Sequence, residues 1–257
     1  MNSIRGNGRT MARIRHLNRA PIEEAVIELR VRSTAPAQSE RLTELAARWK
    51  AVFPVEQKVQ AFAAAFGIQD VRPMANAQQE HFGFMLKTAD QHEVVQFRQD
   101  AFAFSQLQPY TSWEEILPRA TELWDSYRDV TQPDRLIRLG VRYINRLRFA
   151  LPVDLSKHVT SPPSAPDVLP SMSTIRAYLT RMVLEDLESG SSITITQASE
   201  PSADQDHITV LLDVDAFHDV DMSPTESEVI PILQRLRHLK NRAFFGSITE
   251  PTAEMYE

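Results

Sequence analysis

Arg138, Arg142, Arg146 and Arg148 lie within one run, Leu136 to Phe149, whose alternate positions Ile137, Leu139, Val141, Tyr143, Leu147 and Phe149 are apolar. As a strand this run points its arginines to one side and its apolar residues to the other. At ~3.3 Å per residue it spans ~40 Å, long enough for a continuous ribbon of guanidiniums. Each guanidinium is a planar fork suited to phosphate or carboxylate, so backbone binding to nucleic acid is chemically reasonable. A plainer chemistry competes. An earlier strand carries Glu24 and Glu28 where this one carries Arg138 and Arg142, and opposite charges on adjacent strands pair favourably. Internal neutralisation is the favoured of the two readings. Asn145 interrupts the apolar parity between Tyr143 and Leu147. A buried amide needs partners, which a ligand or a neighbouring backbone can supply.

Asp213, Asp215, Asp219 and Asp221, with His218 nearby, invite a divalent cation, because hard cations take carboxylate oxygens. Against this, Asp213 and Asp215 share the solvent parity of a strand, and Asp215 repeats Asp100 within a recurrent Asp-Ala-Phe, as a turn-setting residue would. The seven histidines are scattered, glycine is too sparse for a phosphate loop, and no nucleophile elbow is present. Cysteine is absent, which excludes disulfides, thiolate catalysis and Cys-ligated zinc. The candidate ligand-binding residues are therefore Arg138, Arg142, Asn145, Arg146 and Arg148. No catalytic residue, metal ligand or cofactor is assigned.

The elements that must position these residues follow from periodicity. Ile22–Arg32 alternates as a strand, and residues 38–52 have helical spacing. The stretch 59–66 is readable as a short helix or a packing loop. His81–Lys87 and Glu93–Phe104 form a hairpin around residues 89–91, and a helix over 113–129 closes the first half. After the arginine strand comes a proline-rich connection (Pro152, Pro162, Pro163, Pro166, Pro170), expected to be a mobile surface loop. Strands over 173–187, 191–197 and 207–216 precede a helix over 226–245 that stops at Gly246.

Ser112-Trp-Glu-Glu-Ile-Leu-Pro118 recurs in type as Thr225-Glu-Ser-Glu-Val-Ile-Pro231. Each has the hydroxyl and glutamate of a capping box, followed by a proline expected to kink the helix one turn in. Ile27 aligns with Val141, Leu29 with Tyr143, Leu123 with Leu236, and Asp100-Ala-Phe with Asp215-Ala-Phe. The expected fold is α+β: two pseudo-repeats, each strand–helix–antiparallel strands–long helix, with helices packed on antiparallel sheet. Residues 1–18, with Arg5, Arg9, Arg13 and Arg15 and no acid, are read as a basic flexible extension. Met11 is an alternative start. Residues 19–131 and 132–257 are then the two pseudo-repeats.

Several segments carry a resemblance: Leu17–Val26, Gln96-Phe97-Arg98, Leu107–Tyr110, Leu139–Arg146 and Lys240–Phe245. On these the chain resembles a sporadically distributed, uncharacterised bacterial family of about 250 residues. The resemblance covers Leu17 to Glu257 and implies no activity, substrate or catalytic residue.

Composition is that of a globular chain, 42% hydrophobic and 24% charged, with net charge −6. No run approaches the ~18 apolar residues of a membrane span, and no signal segment is seen. The expectation is a cytoplasmic, non-catalytic binding or regulatory module. Its partners would be a protein or a nucleic acid on the arginine-lined strand, with a homodimer allowed and no membrane. The alternative is a metal-dependent enzyme acting on nucleic acid or a phosphorylated small molecule.

Overall fold

The computed structural model describes residues 11–33, 39–60, 81–164, 175, 177–200, 206–225 and 227–257. Its centre is the pairing of β1 (Ile22–Arg32) with β6 (Arg135–Ala150), antiparallel, with Ile27 opposite Val141. Both strands are built from the strict alternation that forces one face inward. Ala25, Ile27, Leu29, Leu139, Val141, Tyr143 and Leu147 are all buried on that face.

The sheet grows outward from this pair on both sides. On one side lie β5 (Ala101–Leu107), β4 (Glu93–Arg98), β3 (His81–Lys87) and β2 (Val55–Gln60). On the other lie β9 (His207–Met222), β8 (Ser191–Glu200) and β7 (Leu179–Asp186). The order β2-β3-β4-β5-β1-β6-β9-β8-β7 is antiparallel throughout. With helices packed on this antiparallel sheet, the chain is α+β.

Three helices cover one face. α1 (Ser39–Trp49) lies on β3 and β4, α2 (Trp113–Thr131) on β5 and α1, and α3 (Val229–Ser247) on β6, β8 and β9. Trp124 and Tyr127 of α2 pack with Phe97 and Phe102, ring centroids 5.6–6.3 Å apart. The Tyr127 hydroxyl, buried with them, donates to the Arg98 carbonyl at 2.8 Å. Trp113 Nε1 donates to Gln234 Oε1 at 3.1 Å, tying α2 to α3. A short α4 (Glu250–Glu254) follows, and Met11–Arg19 lies along it. Ala12 and Leu17 are buried there, while Arg13 and Arg15 pair with Glu250 and Glu257. Residues 1–10 are outside the described residues.

Several expectations are corrected. Glu93–Phe104 is two strands, because the chain bends at Gln99-Asp100 and returns. Val55–Gln60 is a strand on β3 rather than part of a helix or loop, and residues 61–66 lie outside the described residues. The strand expected over 173–187 is the shorter β7, residues 173, 174 and 176 being outside the described residues. The described part of the proline-rich connection is docked rather than loose: Asp154 caps a 3-10 turn at Leu155–Lys157, and buried Val159 bridges to Ile248.

The two capping sequences behave differently. Ser112 Oγ accepts from the Glu115 amide and starts α2 as expected. Thr225 does not cap. Its hydroxyl meets Ser223 at 2.9 Å, and α3 begins three residues later with Glu228 at the cap and no side-chain bond. Pro231 is therefore the third residue of its helix, where an amide would have no helical partner, so no kink is imposed there. Pro118 sits deeper, six residues into α2. Gly246 is not a stop; α3 runs through it to Ser247. The Asp-Ala-Phe copies also differ in place, since Asp100 is in a bend and Asp215 is in mid-strand.

Ser112→Ala should destabilise the protein by about 1 kcal/mol, whereas Thr225→Ala should stay within about 0.5 kcal/mol of wild type. Urea denaturation of the two variants measures the difference.

Candidate functional site

From Arg138 onward the even-numbered side chains of β6 emerge on the sheet face opposite the helices, flanked by those of β1 and β9. The register shift between Leu136 and Arg138 puts Leu136 in the core in place of Ile137, which the alternation assigns to it. Gly140 makes the first recess in this face. It lies opposite Glu28 on one side and Phe217 on the other. A Cβ there would sit 3.2 Å from Arg138 Nη1, so the glycine leaves room for that guanidinium to lie flat. Arg138 stacks over the Phe217 ring at 4.4 Å. It donates to Glu28 Oε2 at 2.6 Å and Asp215 Oδ2 at 3.0 Å, with its side chain only 15% exposed.

Glu28 is shared. Arg30 reaches it at 3.0 Å and Arg98 at 3.5 Å, so one carboxylate is met by three guanidiniums from three strands. Arg142 makes a two-pronged contact with Asp213, Nε at 2.8 Å and Nη2 at 2.7 Å. Arg146 joins Glu200 at 2.8 Å and Glu23 at 3.2 Å. Arg148 Nη2 meets His207 Nδ1 at 3.4 Å. Burial raises Asp215 from its ordinary value, outweighing the two arginines beside it. Arg142 is raised, chiefly through its hydrogen bonds to Asp213.

The favoured plain chemistry is thus what the side chains do: three of the four arginines are held by carboxylates of neighbouring strands. Of the acidic residues weighed as metal ligands, Asp213, Asp215 and Asp221 are engaged in ion pairs. Asp213 and Asp215 serve Arg142 and Arg138, Asp221 serves Arg135 and Arg32, and His218 Nδ1 meets Ser191 Oγ at 3.2 Å. Among the described residues no group of three or more His, Asp or Glu side chains is arranged to hold a metal ion.

Asn145 faces the helices and is buried. Its Nδ2 donates to the Leu212 carbonyl at 2.9 Å and to the Tyr143 carbonyl at 3.2 Å. It lies where the β1–β6 register shifts near Ile22, and it fastens β6 to β9 at that point. Both acceptors are strand backbone carbonyls, where a loop backbone was expected.

Sequence reasoning missed Lys240, on the same face. Its Nζ sits 3.5 Å over the Tyr143 ring, whose hydroxyl meets that of Tyr110 at 3.0 Å. Burial, with Arg237 nearby, lowers the ammonium to about 7, and burial raises both phenols. The signal was available: Leu236, Lys240 and Phe244 share a helix face at four-residue spacing, and a lysine there must be buried. Also missed was His158, its ring tilted against Phe149 with centroids 4.3 Å apart, in an open depression of about 640 Å³ with Pro152, Asp154 and Lys157. Burial lowers its basicity, and its Nδ1 meets Thr252 Oγ1 at 3.0 Å.

No family model matches the chain, and no curated protein matches it. Among the described residues, no helix is long and apolar enough to cross a membrane.

Arg138→Ala should cost about 2–3 kcal/mol, because it leaves two half-buried carboxylates without their shared partner. Arg142→Ala, at a more exposed site, should cost about 1 kcal/mol or less. Chemical denaturation resolves the two. Lys240 binds its proton less tightly folded than unfolded, so its burial disfavours folding at low pH and is relieved as pH rises from about 7 towards 10.5. Lys240→Met should therefore be more stable than wild type at pH 6, with the gap narrowing steadily as pH rises through 7 towards 10.5. Melting curves across this range check it.

Proposed function

We propose that the protein is a non-catalytic binding module that engages a protein partner by strand addition along the free edge of β7. The carrying observation is the exposure of that strand. Leu179 and Val183 are 64% and 61% exposed on one face, Met182 and Leu184 are 43% and 49% exposed on the other, and Leu187 just beyond is 90% exposed. β8 takes one edge of β7, and no described residue pairs with the other. An apolar strand with an open row of amides and carbonyls is a template for another chain.

The arginine strand supports a protein partner over a nucleic acid. Three of its four guanidiniums are paired with carboxylates, so at those positions a phosphate would have to displace existing pairs rather than fill a waiting site. The face as a whole alternates in sign instead of presenting one basic field.

The reading includes a duplicated architecture. It is supported by the strand order, in which β1-β5-β4-β3 and β6-β9-β8-β7 run outward from a shared centre. Pairing of Ile27 with Val141, and equal 19-residue helices after β5 and β9, are in keeping with it. The unequal caps and the displaced Asp-Ala-Phe segments count against a close copy.

Hydrogen exchange read by mass spectrometry tests the reading, on the full chain isolated with what it binds and again after dissociation. Residues 179–187 should gain protection in the assembled state. Protection gained elsewhere with this strand unchanged, including on the β6 arginine face with bound RNA or DNA, would overturn it.

A further inference from the structure

We infer that the occupant of the β7 edge is a second copy of this chain, its β7 antiparallel to the first about a dyad through Val183. This rests on the strand-addition reading and adds the identity of the partner.

The strand is self-complementary about that residue. Antiparallel pairing centred on Val183 sets Met182 against Leu184, Arg181 against Glu185 and Thr180 against Asp186, with Leu179 at the level of Leu187, the first residue of the following turn. Apolar residues meet apolar ones, and each arginine meets a glutamate, twice over by symmetry. Other registers lose this match. A shift by one sets Arg181 against Leu184 and Leu179 against Asp186; centring on Met182 sets Leu179 against Glu185; centring on Leu184 sets Val183 against Glu185. Arg181 and Glu185 are both exposed, and neither forms an ion pair with a described residue.

The first half of the molecule indicates what β7 lacks. β3 holds the matching place in the strand order, with β2 paired to its outer edge and α1 over its helix side. Among the described residues β7 has neither neighbour. α3 reaches no farther than an approach of Arg242 to Asp186 at 3.9 Å. A second β7 supplies the missing strand. In this register directly opposite residues share a face, so the dyad is perpendicular to the sheet and both helix layers fall on one side. Met182 and Leu184 of the two copies then form one apolar strip between the helix layers.

The test is sedimentation of the full chain across a concentration series. Wild type should dimerise. Arg181→Glu and Glu185→Arg, taken singly, set like charges opposite each other at both symmetric positions and should weaken the dimer about tenfold or more. The double variant R181E/E185R restores opposite charges and should recover wild-type affinity to within about threefold. This recovery separates lost pairing from lost folding and is specific to the register. The chain has no cysteine, so Val183→Cys adds one thiol per copy. Its partner across the dyad lies ~5 Å away between Cα atoms, and mild oxidation should give a reducible dimer. A wild type that stays monomeric throughout overturns the inference, as does a double variant no better than the singles. If residues 179–187 are protected by a different protein, strand addition stands and self-pairing falls. If a dimer forms and leaves those amides unprotected, both fall.

Discussion

The β1–β6 pairing is the constraint from which the rest of the molecule follows. It joins strands more than a hundred residues apart in sequence, and every other strand reaches the sheet through one of them. Because side chains alternate with a period of two, this one register decides which residues of both halves face the helices. A slip of β1 by one residue would carry Ile27 and Leu29 to the charged face and bring Glu28 into the core. Asn145 and Gly140 both serve this register. The amide fastens β6 to β9 where the ladder to β1 shifts, and the glycine clears the space that the Arg138 guanidinium fills.

The charged face is best understood as the solvent-side counterpart of that register. Glu28, Arg138 and Asp215 belong to three adjacent strands, so their contacts exist only when all three are correctly aligned. Such pairs add modest net stability, since desolvation offsets much of the attraction. Their larger effect is on alternatives, because misaligned strands would leave half-buried charges alone. Arg142, nearer solvent and held by one carboxylate, contributes less to this discrimination. A face organised in this way holds its three strands in one alignment.

The two edges of the sheet differ in kind. β2 is six residues long and carries Glu56 and Lys58, a short and charged edge of the sort that discourages pairing. β7 is longer and exposes apolar side chains on both faces, while the helix layer stops short of it. Lys240 marks where that layer is anchored instead, with its ammonium on the Tyr143 ring beneath α3.

Much of this was legible in the chain. The bounds of β1 and β3, the start of α2 and the two faces of β6 from Arg138 onward all follow from alternation and one capping hydroxyl, which are local properties. Misreadings arose where local signals were incomplete. Thr225 has the spacing of a cap but is turned into a loop by Ser223. Glu93–Phe104 alternates without a visible break and still folds back at Gln99-Asp100. Val55–Gln60 becomes a strand because β3 offers it an edge. Which carboxylate meets which arginine, and that Lys240 lies on Tyr143, depended on strand order and helix docking. Sequence periodicity determines which way a side chain points, because backbone geometry is set by near neighbours. What it points at was decided by the tertiary structure, because register between distant strands is a property of the whole chain.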